Sequence, residues 1–440
     1  MMKNLRKKTK NGISLIVLVI TIIVMIILAT AIILSLSNSG IIGKANKAKT
    51  DSDVANLKEL TNMFIAEYNI EPTEETLKEY IIRRLNEKNV DTSQLLVNEG
   101  GQLGIIPEEW DKNIVTPEIS TDGIIVPIPK GFVASSVQSE KAVNNGLVIY
   151  EGTSEVNDEN LSTSQTTRNQ YVWVPIENSN AIVRKNNENY RGVLYDFDNT
   201  NQMIIEKEDW ILGTNNNREP DNLTGTLKIS DTNYVADSQE IFTYYGAGTW
   251  NNEMYQKEFD KLAKSIIKYG GFYVGRYEAS SNNQSKRGKK PTLDSWHGFY
   301  NKFRNLYAEN NNNYGVVSSM IWGCQWDNIM IWMKDIKGNN NKNYIFDSSK
   351  KGYFSSNSEQ YTGSKDEYSV KNIFDMAGNV FEWTQEARSD NLRVARGGAM
   401  FGSNLYRPAE YPASKRFPSI SIRGAFGYYI SSRIQLYIKI

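Results

Sequence analysis

The sequence predicts an α+β protein carried behind a long apolar N-terminal helix. Three observations predict this class: an almost uninterrupted apolar run at 13–36, a helix-period pattern directly after it, and many short strand patterns with few helical ones from about residue 126 onward. The length of 440 residues and the 40% hydrophobic content suffice for one or two sizeable cores. The predicted organisation is a basic leader (1–12), a transmembrane helix (13–36), a stalk helix (37–70), a short helix with a linker (71–125) and a large domain (126–440).

Residues 13–36 are long enough to cross a membrane as one helix. At about 1.5 Å rise per residue, such a helix covers the ~30 Å hydrocarbon core of a bilayer. The leader in front of it is basic, so the positive-inside bias keeps the N-terminus in the cytoplasm. Its charges are Lys3, Arg6, Lys7, Lys8 and Lys10. We therefore expect a single-pass protein of the cell membrane with an extracellular C-terminal domain.

Three interpretations of this N-terminus stay open. A cleaved signal peptide would have a shorter apolar region, of ~7–15 residues. A plain transmembrane anchor is the second interpretation. In the third, Gly12 directly before Ile13 resembles the N-terminus of type IV pilin-like proteins, in which prepilin peptidase cuts after that glycine. Val17 stands where pilins that assemble usually have Glu, so the resemblance favours processing at Gly12 and Ile13 over polymerisation.

Composition narrows the classes of partner and of chemistry. The chain has 50 basic and 50 acidic residues, which gives no net field to attract nucleic acid, so we expect no nucleic-acid partner. A single cysteine, Cys324, excludes an intramolecular disulfide. A single histidine, His297, leaves no metal site built from several His or Cys ligands. His297 lies among aromatic residues in SWHGFY, a context typical of a packed or loop histidine.

Two helical patterns follow the apolar run. Apolar residues recur at helical spacing between charged positions and predict the amphipathic stalk helix: Val54, Leu57, Leu60, Phe64 and Tyr68. Residues 73–87 predict a second, short helix with Thr73 as its N-cap. Frequent Gly, Pro and Asp at 97–125 indicate a linker.

Short strands dominate the rest of the chain. Apolar and alternating runs predict strands at 146–152, 170–176 and 270–280, and helical patterns lie at 253–268 and 318–334. The last strand predicts an inward face with Leu436, Ile438 and Ile440 and an outward face with Gln435, Tyr437 and Lys439. This mixture is typical of an α+β domain.

One motif carries a family resemblance. The segment DMAGNVFEWT at 375–384, followed by RGG at 396–398, resembles the formylglycine-generating enzyme/sulfatase-modifying family. The resemblance covers roughly residues 126–440 and is weakest at 180–250, which we interpret as an insertion. It implies a C-type-lectin-like fold for the large domain.

The motif residues also suggest local roles. Gly378 and Asn379 are suited to a tight turn with positive φ. Phe381 and Trp383 alternate with Glu382, so we expect both rings in the core and the carboxylate toward the turn. Arg396 beside two glycines is expected to pair at the core edge while the backbone passes closely. The resemblance further implies a structural calcium ion, with Asn379 and Glu382 as candidate ligands, and we expect no other cofactor.

The catalytic chemistry of the family does not carry over. Its oxidising members bind copper through a pair of cysteines in the C-terminal part of the domain, whereas this chain has no Cys between Arg396 and Ile440. The related sulfoxide synthases need a histidine cluster to hold iron, which one histidine cannot provide. We therefore expect a protein that is not an enzyme.

The segment 399–432 has the composition of a binding surface. Aromatic, Arg and small polar residues on loops make adaptable contacts. In the same fold class, variable proteins of diversity-generating retroelements carry their mutable residues in this position. The alternative interpretation is an aromatic core with a turn-rich connection. Our candidate ligand-binding residues are Phe401, Asn404, Tyr406, Arg407, Tyr411, Arg416, Phe417, Arg423 and Tyr428, in a segment that also contains Phe426 and Tyr429.

Three classes of function stay open at this point. The leading one is a non-enzymatic surface protein that displays a C-type-lectin-fold domain to an extracellular protein or glycan. The second is a minor pilin or pseudopilin that works with a pilus or secretion machinery. The third is a divergent enzyme of the formylglycine-generating family.

Overall fold

The structure is a computed structural model that describes most of the chain. The described residues are 41–176, 183–186, 189–192, 194–197, 204–207, 252–334, 360–389, 392–397, 416–421 and 430–440. None of the helices in this part of the chain combines the length and the apolar character that a membrane crossing needs. The predicted transmembrane helix at 13–36 and the processing site at Gly12 and Ile13 lie outside the described residues.

The described part is a mixed α+β structure, as the sequence predicts. Its helices are α1 (Ile41–Ile70), α2 (Leu77–Glu87), α3 (Leu161–Thr167), α4 (Asn252–Tyr269), α5 (Trp296–Leu306) and α6 (Gly323–Lys334). The first eleven strands are β1 (Leu95–Val97), β2 (Leu103–Ile105), β3 (Val115–Ile119), β4 (Ile125–Pro129), β5 (Phe132–Ala134), β6 (Val148–Glu151), β7 (Gln170–Pro175), β8 (Val183–Asn186), β9 (Asn189–Gly192), β10 (Leu194–Phe197) and β11 (Ile204–Lys207). The others are β12 (Gly271–Gly275), β13 (Val316–Met320), β14 (Ser369–Val370), β15 (Ile373–Phe374), β16 (Phe381–Ser389), β17 (Leu392–Arg396), β18 (Arg416–Ser421), β19 (Ile430–Ser432) and β20 (Ile434–Ile438).

The chain divides into two compact units: the described residues of the smaller one are 41–93 and 99–105, and those of the larger one fall within 94–98 and 106–440. In the smaller unit, α1 lies within the range predicted for the stalk helix and packs on α2. Phe64 on α1 and Ile81 and Leu85 on α2 are fully buried. The rings of Tyr68 and Tyr80 lie 5.3 Å apart between the two helices.

The second helix begins later than predicted. Thr73 is not its N-cap, because Thr76 occupies that position. The Thr76 hydroxyl accepts a hydrogen bond from the Glu79 backbone N–H (3.2 Å), and the Glu79 carboxylate accepts one from the Thr76 N–H (2.9 Å). This reciprocal capping box satisfies two N-terminal donors at once, which a cap at Thr73 would not do.

The larger unit is built on a six-stranded antiparallel sheet. Its strand order is β13-β20-β12-β7-β6-β5. The helix α4 packs on β12 and β20, and α5 packs on β13. Phe259 and Leu262 from α4, with Phe299 and Phe303 from α5, are fully buried in the same core. Burial of these side chains is the main stabilising term of the unit.

A smaller sheet shares a chain segment with the large one. Its order is β18-β17-β16-β19, with β16 antiparallel to β17 and parallel to β19. Only Arg433 separates β19 from β20. Residues 430–438 therefore run from the small sheet directly into the middle of the large one.

Two predicted assignments are corrected by these elements. Residues 318–334 are not one helix, because Val316–Met320 pairs with β20 along its whole length and α6 starts only at Gly323. The predicted linker at 97–125 contains β2 and β3, and β3 forms a hairpin with β4. The Gly, Pro and Asp residues there mark turns between short strands.

The last strand lacks the predicted polar face. Every residue of β20 is buried, including Gln435 and Tyr437, because the strand lies between β13 and β12 with α4 packed against it. The buried Gln435 amide donates to the Ser319 hydroxyl and accepts from the Gln325 amide (3.2 Å). Ile440, predicted to point inward, is exposed.

Candidate functional site

The motif at 375–384 forms the turn between β15 and β16. Gly378 and Asn379 both have positive φ, 95° and 56°, which confirms the predicted tight turn. Asn379 is fully buried. Its amide nitrogen donates to the Glu278 carboxylate (2.5 Å), and its amide oxygen accepts from the Gln360 backbone N–H (2.9 Å). The Asn379 side chain thus joins three distant parts of the chain.

Glu382 lies inside the core, where Arg433 joins it to the carbonyl of Phe374 at the start of the motif turn. It is buried and makes a two-pronged ion pair with Arg433, with distances of 2.6 Å to Nη2 and 3.0 Å to Nε. Arg433 also donates to the carbonyls of Gly275 (3.0 Å) and Phe374 (2.8 Å). Both faces of β16 are covered here, so strand alternation does not bring the carboxylate to solvent. The neighbouring Trp383 is fully buried as predicted, and Phe381 is half-buried.

Arg396 forms the buried ion pair that the sequence suggests, but inside the core and not at its edge. It is 1% exposed, pairs with Asp327, and has its Nε 3.5 Å from the Glu386 carboxylate. The following residue, Gly397, has a φ of 78°, and a Cβ there would lie 2.7 Å from the Met376 carbonyl. The predicted close backbone passage is therefore confirmed at Gly397.

Three buried carboxylates surround the Arg433 guanidinium. We call Glu278, Asp375, Glu382 and Arg433 the charge cluster. Burial raises the pKa of Glu278 well above its usual range, and the neighbouring Asp375 and Glu382 carboxylates raise it further. Burial also raises the pKa of Asp375 and of Glu382, although Arg433 opposes the shift in both. The cluster therefore has more acid groups than its one cation can neutralise.

The two candidate calcium ligands are part of this network. Both Glu382 carboxylate oxygens accept from Arg433, and the Asn379 amide oxygen accepts from Gln360. A guanidinium thus occupies the position that a cation beside Glu382 would take. In the described residues, no group of three or more His, Cys, Asp and Glu side chains could hold a metal ion. The arrangement gives no geometric support to calcium at this pair.

The segment predicted to bind a ligand, 399–432, is only partly described, and its last three residues form the buried strand β19 instead of an exposed surface. We call residues 398–429 the displayed segment. Arg416 and Phe417 belong to β18, of which the backbone is described. The other candidate residues lie outside the described residues: Phe401, Asn404, Tyr406, Arg407, Tyr411, Arg423 and Tyr428.

The described strands on either side of the displayed segment, β17 and β19, both pair with β16. In the strand pairing, Glu382 of β16 stands opposite Arg396 of β17 on one side and opposite Ser431 of β19 on the other. Adjacent strands lie about 4.8 Å apart, so the backbones of Arg396 and Ser431 are roughly 10 Å from each other. Within the segment, β18 pairs with β17, and Arg416 stands opposite Arg396.

The two residues singled out for their chemistry are buried elsewhere. His297 is fully buried on α5, and burial together with the Arg393 guanidinium lowers its pKa to about 3, so its imidazole is neutral at pH 7. Cys324 is a free, fully buried thiol near the start of α6. Both match the packed roles expected from their aromatic surroundings.

Sequence reasoning missed the partners of the motif. Glu278 and Arg433 are separated from Asn379 and Glu382 by 101 and 51 residues. The sequence shows that Glu278 comes after a predicted strand and that Arg433 comes just before the last one. It does not show that the fold brings these two residues to Asn379 and Glu382. It also missed four cations within five residues at 286–290, a signal visible in the sequence itself.

Comparison with known protein families, with characterised proteins and with solved structures found no significant match to this chain.

Proposed function

We propose that this protein is anchored in the cell membrane and binds an extracellular protein or glycan through the displayed segment. Its large domain would be a C-type-lectin-like domain of the formylglycine-generating type that acts by binding and not by catalysis. The single observation that carries this proposal is the pairing of both flanking strands, β17 and β19, with β16.

This pairing supports a binding role because strands β16, β17 and β19 form a rigid base on which the displayed segment is positioned. Binding residues concentrate on loops that a stable scaffold presents. At one end the base includes Arg396 with Asp327 and Glu386, and at the other the Glu382–Arg433 pair. The displayed segment itself is rich in Tyr, Phe, Arg, Ser and Asn, the residues that protein recognition loops favour.

The lectin-like interpretation is supported by the motif and by its surroundings. Gly378 and Asn379, in the middle of the motif that carries the resemblance, form the tight turn with positive φ that their residue types favour. The RGG step begins the connection that leads through β18 to β19. A reverse transcriptase gene beside an adenine-rich near-repeat of codons 399–432 would support the further assignment to variable proteins of retroelements.

The experiment uses full-length protein in lipid nanodiscs, probed on an array of glycans and an array of extracellular proteins. The test variant is Tyr406→Ala/Arg407→Ala. The matched control is Lys264→Ala/Ile267→Ala, two exposed positions on α4. We expect the test variant to lose at least about tenfold in affinity for the best probe. Its melting temperature should change little, since surface substitutions usually stay within ~0.5 kcal/mol.

A third variant separates binding from folding. Trp383→Ala removes a fully buried indole whose N–H donates to the Asp294 carbonyl (3.1 Å), and should cost ~3–5 kcal/mol. If Tyr406→Ala/Arg407→Ala destabilises the protein as much as Trp383→Ala does, the segment belongs to the core. If it binds every probe like the control, the ligand surface lies elsewhere.

Membrane anchoring has its own test. Because Gly12 precedes the apolar run as in prepilins, coexpression with a prepilin peptidase should yield a chain that begins at Ile13, and Gly12→Val should block this cleavage. Intact-mass measurement reads the outcome. Retention of Met1 under these conditions would leave a plain transmembrane anchor.

A further inference from the structure

The motif turn belongs to a strained stretch of backbone. We call residues 371–379 the strained segment. Its residues with positive φ, apart from glycine, are Lys371 (49°), Asn372 (60°), Asp375 (55°) and Asn379 (56°). The rest of the described chain has three such residues, Asn89, Asn282 and Asn283. A residue with a Cβ keeps this conformation only when the surrounding contacts fix it, and such strain is concentrated where proteins switch between conformations.

Hydrogen bonds to other parts of the unit hold the strained segment in place. Near its start, the Asn372 amide donates to the Gly146 carbonyl (2.8 Å). In its middle, the Phe374 carbonyl accepts from the Arg433 guanidinium (2.8 Å). The amide of its last residue donates to the Glu278 carboxylate (2.5 Å). Movement of the segment toward solvent would break all three bonds and release the backbone strain.

The carboxyl group of the strained segment is buried. Asp375 is 4% exposed, and its carboxylate accepts a hydrogen bond from the Gly363 N–H. The charged groups that face it are Arg433, between β19 and β20, and Glu382 on β16. Glu278, which follows β12, also lies near enough for the Asp375 carboxylate to raise its pKa. Asp375 thus faces one cation and two other acid groups.

The other charged and titratable groups beside the segment have their own contacts. Arg276 lies over the Phe374 ring and pairs with Glu140 (2.6 Å). Tyr277 stacks on the same ring, and burial raises the pKa of its phenol further above neutral pH. Lys371 lies with its ammonium 4.2 Å from the centre of an indole ring. Asp375 is therefore the group of the strained segment that titrates near neutral pH.

Ionisation of Asp375 works against the packed position of the segment. Burial raises the pKa of Asp375 to about 7, although Arg433 opposes the shift. Arg433 already donates from two nitrogens to Glu382. An ionised Asp375 would be a second buried carboxylate beside the same guanidinium, so ionisation favours a position in which Asp375 reaches water.

We propose that the strained segment is a proton-controlled latch for the displayed segment. While Asp375 holds its proton, the segment stays packed and its Phe374 carbonyl helps to fix Arg433 between β19 and β20. When the proton is lost, the segment opens toward solvent, the base loosens, and the displayed segment binds its ligand more weakly, because a less ordered surface loses more entropy on binding. This last step rests on the proposed function.

The direction and the size of the effect follow from the two pKa values of Asp375. The stability that the proton gives to the packed segment is complete below pH 3.8 and is lost as pH rises to about 7. Between pH 5.5 and pH 8, the equilibrium should therefore shift toward the open segment by about tenfold or more. Asp375→Asn removes the titrating proton and should abolish this shift, and Asn tolerates the positive φ. The matched control is Asp366→Asn, whose carboxylate is exposed.

Hydrogen exchange of the full-length protein in nanodiscs, without ligand, measures the opening. The N–H groups of Phe374 and Asp375 donate to backbone carbonyls, so exchange of peptides within 371–380 reports it. The rates at pH 5.5 and pH 8 are divided by the intrinsic exchange rate at each pH. We expect the opening constant to rise by about tenfold or more in the wild type and in Asp366→Asn, and to stay constant in Asp375→Asn. Peptides from α5 report global unfolding and should exchange more slowly.

A second measurement tests the coupling to binding. The affinity for the best array probe is measured at the same two pH values. We expect it to fall by about threefold or more with rising pH in the wild type and in Asp366→Asn, and to fall less in Asp375→Asn.

Three results would overturn the proposal. One is an opening constant with the same pH dependence in the wild type and in Asp375→Asn. Another is an affinity with the same pH dependence in both. The third is equal opening of the α5 peptides and of 371–380, which would mean global unfolding. If Asp375→Asn does not fold, the wild-type profile decides, since its opening constant must rise with pH and level off above about pH 7. If no probe binds, the proposed function fails, while exchange still decides whether the segment opens.

Discussion

The two compact units of this chain differ in where their ion pairs lie: the pairs described in the smaller unit are all accessible to solvent, whereas the larger unit has fully buried pairs beside exposed ones. In the smaller unit, Lys78 and Glu99 approach to 3.5 Å while their side chains stay 40% and 77% exposed. In the larger unit, the side chains of Glu382 and Arg433 approach to 2.6 Å and are at most 1% exposed. The Lys78–Glu99 pair can separate, and water then hydrates both charges. Separation of the Glu382–Arg433 pair would leave two unpaired charges buried in the core.

This difference determines what each pair contributes. An exposed pair loses in solvation and side-chain entropy most of what it gains in attraction. A buried pair is weak evidence of net stability, but removing one partner is strongly destabilising. Loss of one member of the charge cluster should therefore disrupt the pairing of β16 with β19 as a whole. These two strands form the base of the displayed segment, so the base would be disrupted as well.

The largest expected effect comes from removing the cation of the charge cluster. Arg433→Met leaves Glu278, Asp375 and Glu382 buried without a positive partner and should destabilise the protein by ~3–5 kcal/mol. Urea unfolding of the full-length protein in detergent measures this. The double variant Glu382→Met/Arg433→Met should recover part of the loss, because it also removes a stranded carboxylate. If Arg433→Met lowers the free energy of unfolding by less than about 1 kcal/mol, the buried pair contributes no more than an exposed pair does, which contradicts the account.

The second prediction concerns pH. Burial raises the pKa of Asp375 from an ordinary 3.8 to about 7, so the folded protein keeps a proton that the unfolded chain releases above about pH 4. The stability from this proton is complete below pH 3.8 and is lost as pH rises to about 7. Asp375→Asn cannot titrate. Its free energy of unfolding, relative to that of the wild type, should therefore increase between pH 5 and pH 7.5.

The measurement is a pair of urea titrations at several pH values. The wild-type and variant proteins share every other titrating group, including His297, whose lowered pKa has the opposite effect below pH 6.5. The difference between the two curves therefore reports the titration of Asp375 together with its electrostatic effect on Glu278, whose pKa the Asp375 carboxylate helps to raise. A difference that stays constant with pH would show that Asp375 is ionised in the folded protein across this range.

A smaller effect is expected at the helix cap of the smaller unit. Thr76→Ala removes the side-chain acceptor of the capping box and should cost about 1 kcal/mol. Thr76→Ser keeps the hydroxyl and serves as the matched control. Helicity followed by circular dichroism through a thermal melt reads the result. Equal melts for the Ala and Ser variants would mean that the cap contributes nothing.

The smallest effect is expected at the exposed pair. Glu99→Gln should change stability by less than about 0.5 kcal/mol, and raising the salt concentration should remove even that. The same urea titration, at low and at high salt, tests it. A loss comparable to that of Arg433→Met would remove the distinction between the two units.

Much of the fold can be predicted from local sequence. The strands at 148–151, 170–175 and 271–275 and the helix at 252–269 follow from hydrophobic periodicity, which a chain shows without its partners. The strand at 316–320 could not be separated from the helix behind it, because both segments are apolar. Gln435 was wrongly predicted to face solvent because it is polar. Its side chain is buried and bonds to Gln325 and Ser319 of other elements, which the local sequence does not show.

The conformation of the site can be predicted from the sequence only where it depends on residues adjacent in the chain. The positive φ at Gly378 and Asn379 follows from residue type. The burial of Glu382 does not, because it depends on Arg433 and on strands that cover both faces of β16. Long-range charge pairing leaves no periodic trace in a sequence, so a carboxylate in a motif is easily taken for a surface ligand.

Hydrogen exchange tests the central claim most directly. Full-length protein in nanodiscs is exchanged with and without its best array probe, and peptides are followed by mass spectrometry. We predict slow exchange in β16 and β19 in both states, since their amides lie in the base, and new protection on binding within residues 398–415 and 422–429. Protection confined to other parts of the chain, with the displayed segment unchanged, would contradict the assignment of that segment as the ligand-binding surface.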